Sequence, residues 1–275
     1  MNKVSDGLAI LDSDHTELLD TLDSVFTEWA LKAGAKKISP PPVYRVAQLE
    51  KFDVYDNFPH LALVAGPLRP ADESRPDAHR FHPGKLADAH LGLPTATCFG
   101  AYLFFEGMRV PSSALVTLAN HCFRNEEYFD GLRRLLSFRM REIVALGTYE
   151  HTRNVIEDFK ARIEAFLGEL DLDFTSEAAT DPFFDREGGR ALLQRLQEVK
   201  REFTVDGLAI ASVNTHRNFF GERCGITVEN GSSHAFTSCV AFGLERWVSV
   251  LVDRYGTAAK AAEVARSAAL NTGSD

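Results

Sequence analysis

Apolar positions recur along this chain with two different periods. Over residues 14–32, Leu18, Leu22, Val25, Phe26 and Trp29 fall at three- and four-residue spacing, which predicts an amphipathic helix. Asp14 and Glu17 stand in a capping-box-like relation at its start, and Gly34 suits its stop. Helical patterns also cover 150–170, with Val155, Phe159, Ile163 and Phe166 inward, 189–202 with a charged face, 244–255, and the alanine-rich 258–270. Short apolar runs predict strands at 61–64, 101–105, 115–118, 143–146, 207–213 and 236–242. Residues 69–85, rich in Pro, Asp, His and Arg, form a predicted exposed loop, and 271–275 a frayed tail. Strands with helices outside them and no βαβ alternation predict an α+β fold with a largely antiparallel sheet.

Composition narrows the function classes. The chain has 275 residues, a size that suits one large domain or two small ones, and 45% of them are apolar. No apolar run is long enough to span a bilayer, and Asp12, Asp14 and Glu17 interrupt any signal-peptide core, so a cytoplasmic protein is expected. Net charge is −9, from 39 acidic and 30 basic residues, which does not favour nucleic acid. The four cysteines, Cys98, Cys122, Cys224 and Cys239, form no Cys-x-x-Cys pair, so a compact thiolate zinc knuckle is excluded.

Two segments carry candidate chemistry. Phe123-Arg124-Asn125-Glu126 is followed by Phe138-Arg139-Met140-Arg141-Glu142. Arg124 reads as a strand residue between apolar neighbours, and such an arginine needs an anion, for which its fork suits phosphate or carboxylate. Glu126, two residues on, shares its face and is either an acceptor for a purine amine or the partner in an ordinary Arg–Glu pair. Arg246, in Gly243-Leu244-Glu245-Arg246, opens a helix. A cation is disfavoured there unless an anion sits between it and the free N–H groups; the plain alternative is a solvated arginine.

Together these segments resemble motifs 2 and 3 of the class II aminoacyl-tRNA synthetases. The segment 38–44, with Pro41 and Pro42, resembles their motif 1, in which a long helix, a strand and a proline form a dimer interface. The resemblance implies a class II synthetase-like catalytic domain that binds ATP with Mg²⁺. Arg124 takes the α-phosphate, Glu126 and Phe138 take adenine, and Arg134 (or Arg133 in a shifted register) and Arg246 take the terminal phosphates. Arg124 and Arg246 are then the catalytic residues.

Cys98, Glu142 and Cys239 match the zinc site of the archaeal-type seryl-tRNA synthetases and their bacterial relatives. Two thiolates and one carboxylate suit Zn²⁺ and leave a position open for a substrate α-amine; Cys122 and Cys224 are expected to be structural. The segments 122–148, 181–184, 212–225 and 238–246 resemble most closely the amino acid:carrier protein ligases, truncated homologues of those synthetases. Nothing here resembles a coiled-coil arm for tRNA. The expectation is a single catalytic domain over 1–275, with 257–275 as terminal helix and tail and no tRNA-binding domain. The implied function is ATP-dependent activation of a small amino acid and its transfer to the phosphopantetheine thiol of an acyl or peptidyl carrier protein, by a homodimer built on residues 14–44. Arg190, Asn214 and His216 are expected in the amino-acid pocket, where the match is partial, and Arg186, Arg190, Arg195, Lys200 and Arg201 offer a basic face for the carrier. The competing expectations are a standalone enzyme that acylates tRNA or a small molecule, and a non-catalytic regulator.

Overall fold

A computed structural model describes residues 2–70, 75–181, 184–185, 199–229, 231 and 233–272. Its centre is a seven-stranded sheet. The strands are β3 (Lys36–Lys37), β4 (Ser113–Phe123), β5 (Ser137–Gly147), β6 (Thr175–Ala178), β7 (Lys200–Val205), β8 (Leu208–Arg217) and β9 (Phe236–Gly243). Their spatial order is β6-β7-β8-β9-β5-β4-β3. Every pairing is antiparallel except the edge pair β3–β4, which is parallel. An N-terminal hairpin of β1 (Lys3–Ser5) and β2 (Leu8–Ile10) stands apart from this sheet.

Four helices cover one face: α1 (Ser13–Lys32), α3 (Tyr149–Glu169), α4 (Leu244–Tyr255) and α5 (Ala258–Thr272). Strand alternation sends Ile143, Val213, Val240 and Phe242 to this side. Phe242 stacks on Phe26 at 3.9 Å between centroids, and Trp29, Phe166 and Trp247 close around that pair. The apolar stripe of α1 is therefore consumed inside its own chain. Asp12, not Asp14, caps the helix: its Oδ1 accepts from the His15 N–H at 3.1 Å. Arg141, 2% exposed, ties the sheet to α1 through two 2.7 Å hydrogen bonds to the Asp23 carboxylate.

The opposite face is lined by a second cluster that includes Leu49, Phe52, Phe99, Tyr102 and Phe220, and it is open between them. Two predicted elements change here. Residues 101–105 were expected as a strand, but α2 (Phe99–Phe104) is a helix lying under this cluster. A short apolar run fits either element, and burial of Phe99, Ala101 and Tyr102 against the sheet selects the helix. Residues 200–202 were expected to end a helix, but they begin β7, which pairs with β8 through a two-residue turn at Asp206–Gly207. Residues 189–198 of the predicted helix, with Arg190 and Arg195, and Arg186 just before it lie outside the described residues.

Candidate active site

On the open face, β8 and β9 run side by side with Asn214 opposite Cys239, and β9 and β5 with Ala241 opposite Glu142. Alternation therefore directs Ser212, Asn214 and His216, Cys239 and Ala241, and Met140 and Glu142 into one space. Cys98 enters from the turn before α2. The Cys98 and Cys239 sulfurs and a Glu142 carboxylate oxygen lie within 4.8 Å of one another, and all three residues are buried. Glu142 Oε1 accepts from the Thr97 and Cys98 N–H groups at 2.9 and 3.0 Å. Its Oε2 is buried with no hydrogen-bond partner.

Burial pushes the Glu142 carboxyl above its ordinary range. The Cys239 thiol is pushed well up, first by its contact with Cys98 and then by burial. For Cys98 the contact with Cys239 lowers the value, but burial and the Glu142 carboxylate outweigh it, and the thiol rises too. Two sulfurs and an orphaned carboxylate oxygen resist ionisation together unless a cation joins them. The donor set fits Zn²⁺, with three protein ligands and room for a fourth. Cys122 stands apart from this group against the Thr97 hydroxyl, 3.3 Å away, and Cys224 is buried in the second cluster.

Cys98, Glu142 and Cys239 face a chamber of about 450 Å³, whose walls include Phe52, Phe58, Phe99 and Phe220. His216 and Asn214 also face it. Burial lowers His216 to about 4, so its ring is neutral.

A second cavity of about 90 Å³ adjoins the chamber. Arg124, Glu126, Arg134, Phe138 and Arg246 all line it. Arg124 is not on the strand expected for it but just beyond the end of β4. Its Nε and Nη2 donate to the Thr95 carbonyl at 3.3 and 3.1 Å, and its guanidinium lies 5.2 Å from the centre of the Phe138 ring. Arg134 donates to Glu126 at 2.7 Å and covers the Tyr128 ring at 4.5 Å. Arg246 donates from Nε to the Arg133 carbonyl and from Nη1 to the Ala209 carbonyl, both at 2.9 Å. Burial, followed by repulsion from Arg124 and Arg134, lowers Arg246 to about 10. Three guanidinium groups thus converge beside the N-terminus of α4, where Gly243 offers no side-chain cap. That is an environment for a polyanion.

Arg124, Met140, Lys200, Ser212 and Ala241 border both cavities. Lys200 was expected on a carrier-docking face. Instead it is 14% exposed and paired with Asp181 at 2.9 Å and Glu202 at 3.0 Å, because β7 turns it inward. Lys200 and Glu202 are pocket residues that helical periodicity hid. The Asp206–Gly207 pair, with φ of 48° and 72°, is the sequence signal that would have found their strand.

No family model matches the chain. Among curated proteins it is 33% identical over 268 residues to amino acid–acyl-carrier-protein ligase 1 of Bradyrhizobium diazoefficiens, covering 92% of this chain and 81% of that protein. It is 34% identical over 232 residues to ligase 2 of the same organism, covering 78% of this chain and 69% of that protein. Among solved structures, the seryl-tRNA synthetase of M. kandleri, in complex with a tRNA, superposes with a TM-score of 0.77 at 20% identity. That match takes in 93% of this chain and 55% of the synthetase, and it fixes the fold as that of a class II synthetase catalytic domain. With the two ligase relatives matched over most of their length, the chain belongs to the amino acid–acyl-carrier-protein ligases.

Proposed function

We propose that this enzyme activates an amino acid with ATP and passes it to the phosphopantetheine thiol of a carrier protein. Its ligase relatives support amino-acid activation and a carrier-protein acceptor. The observation that carries the division of labour is the wall shared by the two cavities, with Arg124 on both sides of it. The amino acid takes the larger chamber, its α-amine toward Cys98, Glu142 and Cys239 and its carboxylate toward the shared wall. ATP takes the smaller cavity. Phe138 and Glu126 receive adenine, Arg124 holds the α-phosphate, and Arg134 and Arg246 hold the outer phosphates; Mg²⁺ entering with ATP would offset their negative charge.

Cys98, Glu142 and Cys239 would hold a Zn²⁺, which would supply a Lewis acid for the neutral α-amine and so favour amino acids. The remaining work is done by the chain. Arg124 lies at the wall where the carboxylate oxygen meets the α-phosphorus. As that P–O bond forms, the bond to the β-phosphate oxygen breaks and charge moves onto pyrophosphate, where Arg134 and Arg246 stabilise it. In the second step the carrier thiol attacks the acyl carbon of the adenylate, AMP leaves with the C–O electron pair, and the thiol proton is released to the departing phosphate or to water. Glu126 exchanges Arg134 for the adenine amine when nucleotide enters. The proposal extends to a cytoplasmic, single-domain homodimer joined through the 38–44 segment at the sheet edge.

Amino-acid-dependent ATP–pyrophosphate exchange, scanned over a panel of amino acids, tests the first step. Radiolabelled transfer to phosphopantetheinylated carriers, with tRNA as the alternative acceptor, tests the second. Exchange that is absent with every amino acid, or transfer to tRNA in preference to any carrier, contradicts the reading. Cys239→Ser should lose zinc and exchange together.

A further inference from the structure

Cys239 is held differently from Glu142. Two nitrogen groups from β8 converge on its sulfur. Asn214 Nδ2 is 3.5 Å from Sγ and His216 Nε2 is 3.7 Å from it. The two residues are spaced by two on one strand, so both face the chamber, and Asn214 is the residue directly opposite Cys239. Glu142, by contrast, receives backbone N–H groups.

The neighbours of each nitrogen fix what it does. A neutral imidazole carries one N–H, and the nitrogen without it accepts. His216 Nδ1 faces two hydroxyls, Tyr102 at 3.2 Å and Thr237 at 3.4 Å. Nε2 faces only the sulfur, among the described residues. The arrangement that satisfies all of these atoms puts the hydrogen on Nε2, aimed at Sγ, with a hydroxyl donating to Nδ1. If the Tyr102 hydroxyl turns instead to the Cys98 sulfur beside it, the Thr237 hydroxyl serves Nδ1 at 3.4 Å in place of its other acceptor, the Arg217 carbonyl at 3.5 Å. Phe220 holds the imidazole plane edge-on, with centroids 4.9 Å apart. The Asn214 amide has two hydrogens and two acceptors, Ser212 Oγ at 3.1 Å and Cys239 Sγ at 3.5 Å. Turning that amide over would set its oxygen against the sulfur, so the nitrogen faces inward.

We propose that Asn214 and His216 are positioning residues for the metal, each donating an N–H to the Cys239 thiolate and so making the two sulfurs of the site chemically unlike. This rests on the zinc reading above. Donation draws electron density from one sulfur, leaves the metal a stronger acceptor for the substrate amine, and fixes the Sγ rotamer. Both residues were expected to touch the amino acid; on this geometry their polar atoms act on it through Cys239. Groups that orient metal ligands in this way typically change affinity by about ten- to a hundredfold when removed.

The test uses full-length protein stripped of metal and loaded with Co²⁺, whose sulfur-to-metal charge-transfer absorption reports on thiolate electron density. Against wild type, His216→Phe and Asn214→Ala should each move those bands to lower energy and weaken zinc binding about ten- to a hundredfold. His216→Gln, which returns an N–H, should move both values back toward wild type. Asn214→Ala keeps the aromatic wall intact and carries the test if His216→Phe does not fold. Wild-type protein that takes up cobalt without any thiolate bands overturns the zinc reading and this inference with it. Wild-type bands that stay in place in the folded variants, with cobalt still stoichiometric, overturn the role of Asn214 and His216 alone.

Discussion

At Arg246 two N–H groups are given to backbone carbonyls, so the guanidinium is oriented before any anion arrives. Arg124 is oriented in the same way by the Thr95 carbonyl. Replacing either with alanine should cut pyrophosphate exchange about a hundred- to a thousandfold, the effect of removing one preorganised charge-stabilising donor, and leave the circular dichroism spectrum unchanged. Exchange near the wild-type rate in either variant would move the ATP site elsewhere. Glu245 makes a prediction of a different kind. Burial raises its carboxyl from the ordinary 4.5 to about 7, although it accepts from the Arg139 N–H at 2.8 Å. A carboxyl raised on folding holds its proton in the native state where the unfolded chain has lost it. Its contribution is fully present below the unfolded value and is lost as pH rises through about 7. The urea midpoint of wild type should therefore fall relative to that of Glu245→Gln between about pH 5 and pH 8. Parallel midpoints over that window would remove Glu245 as the cause. Of these residues, the arginines were legible from motif resemblance. Cys98, Glu142 and Cys239 were legible only that way, since residues so distant in sequence carry no spacing signal of their own. The donation from Asn214 and His216 to sulfur was not legible, because it depends on the pairing register of β8 with β9.

Elements with a full amphipathic period and clear stops were the legible ones. Residues 244–255 run between Gly243 and Gly256, and α4 has those bounds. The central strands were also found, though β4 and β5 are longer than their apolar runs because Asn120, Arg141 and Glu142 continue them as polar residues. Those polar positions are where the sheet meets α1 and the site, so apolar pattern alone could not extend the strands. The errors have local causes: α2 is too short to show a period, and the charges of β7 imitate a helix face. Both hairpins announce themselves by an Asp-Gly pair with positive φ at both residues, Asp6–Gly7 in the first and Asp206–Gly207 in the second. Between elements, the buried Arg141–Asp23 pair links the sheet to α1, beside a longer Arg139–Asp20 contact at 3.5 Å. Asp23→Ala strands a guanidinium that is 2% exposed, and should cost about 3–5 kcal/mol in urea unfolding. A loss under about 1 kcal/mol would mean that water or another carboxylate replaces Asp23.

For the molecule as a whole, the expected homodimer was built on residues 14–44, but the fold buries the apolar stripe of α1 inside its own chain. What remains is the 38–44 segment, which follows the edge strand β3 and is fastened where Asn120 Nδ2 donates to the Pro41 carbonyl at 2.9 Å. Light scattering at micromolar concentration should give twice the chain mass, and Val43→Asp, at an exposed position of this segment, should shift it toward one. A wild-type monomer under those conditions would overturn the homodimer. Among the described residues no helix is long and apolar enough to cross a membrane.

The wall of Arg124, Met140, Lys200, Ser212 and Ala241 makes the two cavities neighbours rather than separate sites. An inhibitor can exploit this. A stable mimic that joins adenosine to an amino acid through a sulfamoyl bridge would present both halves at once, and the first half to dock would hold the second at high local concentration. Such a compound should bind about a hundred- to ten-thousandfold more tightly than either fragment.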